Sequence, residues 1–510
     1  MFSRLAELGR RLTAERRLMD LSAAFFALLV YVATMAPTIT WRNQGADSAD
    51  LVAAAYVRGV PHPPGYPLYT LVSAVVVQFP MGDPAHRIAF LSGFAAAAAV
   101  FLLARALRKE LVSFGDRGAW PWIPTFVALG LAFSPLFWSQ ATIPEVYAFN
   151  SVLVGLLLIA WLSESQNRLT LAAGALGVGI VHHLTLLFFG PGSLVLLLRR
   201  GLRRQTLFVA FAVFVTPLLL YLYLPLSALS DPPVNWGNPS TIQGLTWMVS
   251  AAAYRSYLSS VSLAEAVGRL SAAGKLLFQN FGIWGVAAGL WGFVRMSTAK
   301  RDTSRRLQVV LTLTFLGISS FAVMYNSRDS FLYLLPALMI FTVWIAYGIA
   351  DLAALVSPRW QRGLIVILAL FPLINLVGNY ETMDLSRDRE AISYAEGVFQ
   401  VLPDRSTLIA DGDEHFFALE YYRDVVMAGH SNVVVVSSGL VQFDWYYDQV
   451  MRKLGSPTAR EGAPAIQDRL RSIVDVSQGS GRRIYSTVMD GSLGEFSAES
   501  IDGLYQIKSR

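Results

Sequence analysis

The chain has 510 residues, of which 54% are hydrophobic and 15% charged, and its mean hydropathy is +0.47. Soluble domains carry about 25% charged residues, so a wholly soluble globular protein is excluded. The lack of cysteine also excludes disulfides, thiolate metal sites and a cysteine nucleophile. The formal charge of +6 falls largely on short Arg- and Lys-rich loops, which argues for membrane-orientation signals over nucleic-acid binding.

Apolar runs recur between residues 19 and 380, and runs of about 20 such residues are what a ~30 Å hydrocarbon layer requires. A basic stretch with Arg10, Arg11, Arg16 and Arg17 precedes a first span over 18–39, and no small-residue cleavage pattern occurs before Pro37. The segment therefore reads as an anchor and not as a removed leader. Residues 40–86 are polar and rich in Pro and Gly, too irregular for a span, and form a first outer loop. Spans follow over 87–107, 120–137, 146–162, 169–181, 184–198 and 207–225, then a long outer loop over 227–274. Four more cover 276–294, 307–325, 331–355 and 363–379.

These make about eleven transmembrane helices. The short pair 169–181 and 184–198 could instead be half-inserted, as occurs where polar groups line a cavity. Basic residues such as Arg105, Arg108, Lys109, Arg203 and Arg204, and the 295–306 loop, all fall on the side of the N-terminus. That side is therefore cytoplasmic. From residue 381 the composition becomes that of a soluble α/β segment. Strands are expected at 406–410, 432–437 and 483–489, with helices at 416–426 and 443–454. An odd number of spans puts this segment outside. The fold class is thus a polytopic α-helical membrane protein with a C-terminal soluble α/β domain, divided as 1–380 and 381–510.

The residues able to carry chemistry gather in the expected outer segments. Asp47 and Asp50 lie three apart, so on a helix starting there they share a face, and Asp47 is a natural N-cap. They precede His62, which sits between prolines that stiffen the backbone. An acid held rigidly over a membrane cavity is what a general base needs. Glu145 stands at a helix N-terminus beside an aromatic run, where it serves either as a dipole-stabilised cap or in an active site. His182 and His183 are adjacent, so both cannot face one point on a helix; a two-His metal site is not expected, and one of them reaches into the cavity. Asn235 and Trp236 in the long outer loop are residue types used in sugar or glycolipid recognition, and also in any interfacial belt. Arg328 at an outer membrane edge can pair a lipid phosphate in bidentate geometry or form a salt bridge with Asp329. The acidic turn Asp411, Asp413, Glu414 and His415 follows a strand end, where α/β sheets bind ligands. This domain reads as a recognition or packing module.

These motifs resemble a known family. The acid run Asp47-Ser48-Ala49-Asp50, followed by His62-Pro63-Pro64-Gly65-Tyr66-Pro67-Leu68-Tyr69, is similar to the family that includes the transmembrane O-mannosyltransferases of plexin-type receptors and many bacterial proteins. The Phe137-Trp138…Pro144-Glu145-Val146-Tyr147 run, the His182-His183 pair and the Pro233-Val234-Asn235-Trp236-Gly237-Asn238-Pro239 loop look like the same family in the same order. The resemblance covers residues 37–336. The family's acid loop usually reads Asp-Ser-Gly-Glu. Asp50 in place of the Glu keeps the carboxylate but shortens its reach, while Asp47 is unaltered.

The resemblance implies a GT-C type glycosyltransferase with a polytopic helical body. Its donor is a polyprenyl-phosphate-linked sugar, a hexose such as mannose, and its acceptor is a hydroxyl of a protein, lipid or glycan. It implies Asp47, Asp50 and Glu145 as catalytic candidates. It implies His62, Tyr66, His182, His183, Asn235, Trp236 and Arg328 as substrate-binding ones. No cofactor beyond the lipid-linked donor is required by it, and a divalent metal is left open. The expected location is the inner membrane, with the C-terminal domain extracytoplasmic. Two other readings compete: a lipid-linked sugar transporter, which would show paired halves and broken helices at the midplane, and a non-catalytic envelope scaffold.

Overall fold

The computed structural model describes residues 2–111, 120–163, 167–197, 202–258, 260–299, 302–456, 465–489, 493 and 496–508. Parts of two expected basic loops, at 198–201 and 300–301, lie outside them. The chain forms two compact units that do not follow chain order. The first comprises residues 1–35, 89–221 and 254–386, and the second 36–88, 222–253 and 387–510. The second unit thus joins the whole of the first expected outer loop, and part of the second, to the C-terminal α/β segment.

The protein is a polytopic helical membrane protein. Among the described residues, seven helices are long and apolar enough to cross a bilayer: Ala14–Thr34, Pro84–Leu111, Arg204–Ala228, Leu263–Ser297, Ser304–Met324, Ser330–Ala354 and Gln361–Met383. Three further expected spans fall on shorter apolar helices, Val146–Trp161, Arg168–His182 and Leu184–Leu197. The expected span over 120–137 is not one straight helix. It is the pair Ile123–Ala132 and Pro135–Ala141, bent by 70°, because Pro135 cannot donate back into the preceding turn.

A break in an apolar helix frees backbone groups that water cannot reach, and each must find a partner. In the first unit, side chains of three other helices supply them. The Tyr31 hydroxyl donates to the Ala132 carbonyl at 2.9 Å. Asn375 Nδ2 donates to the Gly130 carbonyl at 2.8 Å, and Asn379 Nδ2 to that of Phe133 at 3.1 Å. The freed Leu136 N–H donates to Asn280 Oδ1 at 3.0 Å. The long Leu263–Ser297 and Leu335–Ala354 helices pack closely through glycine. A Cβ on Gly292 would lie 1.9 Å from the Trp344 carbonyl oxygen, and one on Gly348 2.1 Å from that of Ala288, which is the small-residue packing of membrane helices.

The same unit buries an ion pair. Asp20 is fully buried and accepts Arg108 Nε at 2.9 Å and Nη2 at 2.5 Å, with Thr125 Oγ1 donating at 3.0 Å.

In the second unit the α/β segment holds a five-stranded mixed sheet in the order β2-β1-β3-β5-β4, where β1 is Ser406–Ala410, β2 Val434–Ser437, β3 Arg483–Ser486, β4 Ala498–Ile501 and β5 Leu504–Ile507. β1 pairs in parallel with β2 and β3, and β5 antiparallel with β3 and β4. All five residues of β1 are buried, as the centre of a parallel sheet requires. The two short antiparallel strands β4 and β5 and the Ile466–Gly479 helix were not anticipated from the sequence.

The buried ion pair gives a test of the first unit. Asp20→Ala leaves the Arg108 guanidinium without its counter-ion and is expected to destabilise the protein by about 3–5 kcal/mol. This is read as a lowered unfolding temperature in phospholipid nanodiscs.

Candidate active site

The acid loop begins with Asn43 and Gln44 at φ of 59° and 63°, inside the turn Arg42–Asp47. The chain then enters the Ser48–Val57 helix with Asp47 at the N-cap position, as expected, but the Asp47 side chain makes no capping hydrogen bond to it. Its Oδ2 lies 3.9 Å from His62 Nε2 instead, and the side chain is 44% exposed.

Asp50, one turn on, is in a different situation. It is fully buried, and its carboxylate accepts three hydrogen bonds. Oδ2 accepts the His62 backbone N–H at 2.9 Å and ring Nδ1 at 2.6 Å, while Oδ1 accepts the Trp236 indole N–H at 2.9 Å. An ionised carboxylate has nothing to donate, so the ring proton sits on Nδ1 and the Nε2 position is turned to Asp47. The two acids do not act alike: Asp50 orients the imidazole, and Asp47 meets its other nitrogen.

The rigid His-Pro-Pro-Gly-Tyr-Pro run fixes His62. The Gly65 N–H donates to the His62 carbonyl at 2.9 Å. Gly65 has φ +88°, and a Cβ there would lie 2.9 Å from Leu224 Cδ2, so both torsion and space call for glycine. Tyr66 is buried with its ring edge-on to His62 at 5.3 Å.

Trp236 arrives from 186 residues away. An isolated parallel bridge joins Val60 to Asn235. In it the Val60 N–H donates to the Val234 carbonyl at 2.9 Å and the Trp236 N–H to the Val60 carbonyl at 3.1 Å. Gly59 lets the strands approach, since a Cβ there would lie 2.2 Å from the Val234 oxygen. Asn235 is buried beside Trp236, and its Oδ1 has no hydrogen-bond partner among the described residues.

The α/β segment adds one residue that sequence reasoning had not connected to His62. Asp413 opens the Asp413–Tyr421 helix. Its carboxyl is held above the ordinary aspartate value, first by loss of solvent, with Asp50, Asp411 and Glu414 pushing the same way and His62 pulling it down. The Trp236 ring lies 6.1 Å from Phe417 of that helix, and the Trp41 indole donates to the Glu414 carbonyl at 3.0 Å. The acidic turn after β1 was legible, but nothing local pointed it toward His62.

Within the first unit, Glu145 is buried and Oε2 accepts the Val146 N–H at 3.1 Å, capping its own helix. His182 Nε2 donates to the Val146 carbonyl at 2.9 Å. His183 Nδ1 lies 2.8 Å from Thr185 Oγ1, and its ring is 5.4 Å from Tyr147 and 5.8 Å from Tyr333. The two histidines therefore meet different atoms at the start of one helix. Tyr333, which the sequence reading passed over, also lies 5.4 Å from Tyr325, at the start of the loop bearing Arg328. That loop is held by Arg269, whose Nε donates to the Val323 carbonyl at 2.7 Å and Nη2 to that of Tyr325 at 2.6 Å. Asp329 accepts from Ser327, and Arg328 is exposed with no ion-pair partner among the described residues. Among those residues, no three His, Asp or Glu side chains gather as a metal-ligating cluster.

Residues 47–206 match the model of the TMEM260 protein O-mannosyl-transferase N-terminal domain. The match takes in Asp47, Asp50, His62, Tyr66, Glu145, His182 and His183, and stops before Asn235, Trp236 and Arg328. The chain is similar in sequence to protein O-mannosyl-transferases. It is 26% identical over 476 residues to protein O-mannosyl-transferase TMEM260 of Mus musculus, covering 85% of this chain and 64% of that protein. It is 21% identical to the Dictyostelium discoideum protein of the same name, covering 82% of this chain and 57% of that one. The chain thus spans about three fifths of the length of these relatives. Among solved structures it resembles the oligosaccharyltransferase of Archaeoglobus fulgidus, with a TM-score of 0.51 at 11% identity, covering 92% of this chain and 69% of that one. That likeness concerns the fold, and it agrees with the GT-C-like helical body that the acid loop implied.

The bridge beneath Trp236 is open to test. Gly59→Ala forces the Val60–Asn235 pairing apart and is expected to cost about 1–3 kcal/mol, as overpacking does. Thermal unfolding measures the loss, and quenched tryptophan fluorescence at Trp236 reports the displaced indole.

Proposed function

We propose that this protein is a membrane glycosyltransferase that moves a hexose such as mannose from a polyprenyl-phosphate carrier to a hydroxyl acceptor on the non-cytoplasmic face of the inner membrane. The N-terminus is cytoplasmic in this reading and the α/β segment extracytoplasmic. The observation that carries it is the Asp50–His62–Asp47 arrangement: a saturated buried carboxylate, an imidazole fixed in one tautomer, and a second carboxylate open to substrate. The similarity to protein O-mannosyl-transferases across the segment holding all three residues supports it.

Asp47 takes the proton from the acceptor hydroxyl as that oxygen attacks the anomeric carbon. The bond from that carbon to the carrier phosphate breaks, the configuration inverts, and polyprenyl phosphate leaves with the bonding pair. Charge builds on phosphate in the transition state, where a fixed cation lowers the barrier, and Arg328 is the cation assigned to it. His62 Nε2, left unprotonated by the tautomer that Asp50 fixes, sits where it takes up the proton from Asp47 after the transfer. Asp50 and Trp236 position His62, and a base so placed contributes about 10²–10⁴-fold. Glu145, His182, His183, Tyr66 and Asn235 are assigned to holding donor and acceptor.

The test is incubation of the purified protein with radiolabelled polyprenyl-phosphate sugars and a membrane extract, tracing which fraction gains label. Asp47→Asn should lower transfer by about 10²–10⁴-fold with an unchanged unfolding temperature, and near-normal turnover would remove Asp47 from the role of base. His62→Gln keeps the size of the side chain but loses its basic nitrogen. It should lower kcat more than it raises KM and flatten the acid limb of the pH–rate profile.

A further inference from the structure

The Pro84–Leu111 helix has 28 residues, about 42 Å at 1.5 Å per residue, which matches the ~40–45 Å of a bilayer with its headgroup layers. Its last turns are basic. Arg105, Arg108 and Lys109 fall within six residues of its end, so they lie about 3–9 Å below it, at the depth of the headgroup layer and its boundary with the acyl chains. Arg108 is fully engaged. Its Nε and Nη2 take the two oxygens of Asp20, Nη1 donates to the Pro121 carbonyl at 2.7 Å, and Nη2 also reaches Thr125 Oγ1 at 2.9 Å. Asp20 is saturated in turn, because Thr125 supplies its third hydrogen bond.

Arg105 is left outside this network. Its Nη1 reaches Asp20 Oδ2 only at 3.8 Å, beyond hydrogen-bond distance, and its side chain is 29% exposed. One buried carboxylate therefore meets two guanidinium groups, and one positive charge is in excess. Lys109 stands four residues on, on the same face of the helix as Arg105. It is exposed, its Nζ donates to Ser163 Oγ at 3.3 Å, and it has no ion pair among the described residues. Glu110 follows directly but on a different face, and among the described residues neither Arg105 nor Lys109 pairs with it. Like charges four apart on a helix repel, and an uncompensated cation at membrane depth is costly. The missing component is an anion.

We propose that Arg105 and Lys109 bind the phosphate of an anionic phospholipid in the leaflet at the C-terminal end of this helix, the cytoplasmic one in the orientation proposed above. The Arg105 guanidinium takes two phosphate oxygens in bidentate geometry, and the Lys109 ammonium adds a point charge beside it. Basic side chains between membrane helices on the cytoplasmic side are suited to lipid headgroups. A lipid with net negative charge is favoured over a zwitterionic one, whose headgroup brings its own cation to a site that already has one in excess. Bound there, the lipid offsets the charge that Asp20 cannot. The site is independent of the glycosyl-transfer reading, since neither residue belongs to the proposed catalytic machinery.

The test is native mass spectrometry of the full chain in a neutral detergent, titrated with phosphatidylglycerol and, separately, with phosphatidylcholine of the same acyl chains. Saturable binding of a first phosphatidylglycerol is expected, in preference to phosphatidylcholine. Arg105→Gln leaves the Asp20–Arg108 pair in place and should weaken that binding about tenfold, as loss of a charge-assisted contact does. Arg105→Lys, which keeps the charge and loses the fork, should weaken it less. Arg204→Gln, at the start of another span, should bind like the wild type, which separates a defined site from the diffuse attraction of basic loops. Inorganic phosphate should not displace the lipid. The proposal is overturned if the wild type binds both lipids equally, if the folded Arg105 variants bind like the wild type, or if Arg204→Gln is as damaging as Arg105→Gln. Displacement by inorganic phosphate would also overturn it, by making this a site for a soluble anion.

Discussion

The second unit depends on one buried carboxylate. Asp50 has no access to water, so its charge is tolerable only because each oxygen is met by donors. Those donors come from remote parts of the chain: the Pro-rich run through His62 and the 231–239 loop through Trp236. Satisfying the charge therefore assembles the loops. The same bonds fix the imidazole tautomer, so stability and the proposed chemistry rest on one set of contacts.

The first unit obeys the same rule with neutral groups. Its broken helix at 132–135 exposes backbone to an apolar surround, and Tyr31, Asn280, Asn375 and Asn379 answer each freed group with a side chain. Broken helices next to polar clusters are where membrane enzymes and transporters make room for substrates. Here the break leads into the segment bearing Glu145, whose own carboxylate caps the next helix. Glu145 thus has a definite structural task, and any catalytic part it plays is added to that one.

Much of the fold was readable from residue order because hydrophobic run length is a local property. The long spans, the basic loops and β1 need no tertiary information, and β1 falls on the expected residues 406–410. The misses have physical causes. The Ile466–Gly479 helix buries Leu470, Ile473, Val474 and Ser477, a helical spacing that was present but masked by the polar stretch before it. β4 and β5 are four residues each with mostly exposed positions in β4, so they carry little pattern and are held by pairing alone. The bend at Pro135 was missed because 120–137 is a continuous apolar run, and the Tyr31, Asn280, Asn375 and Asn379 side chains that make it tolerable lie far away in the sequence.

Residue order alone establishes a polytopic membrane protein with an α/β segment, and it singles out the acid loop and the His-Pro-Pro-Gly-Tyr-Pro run as candidates for the proposed chemistry, because residue type and local rigidity are written in neighbouring positions. It favoured Asp47 over Asp50 through the resemblance alone, with nothing in the residues to distinguish their surroundings. Only the tertiary structure separated them, leaving Asp47 half-exposed and Asp50 buried beneath His62 and Trp236. It alone drew the α/β segment, through Asp413 and Phe417, to the loops that hold those acids. Burial and long-range hydrogen bonding are properties of the assembled chain, and no window of sequence contains them.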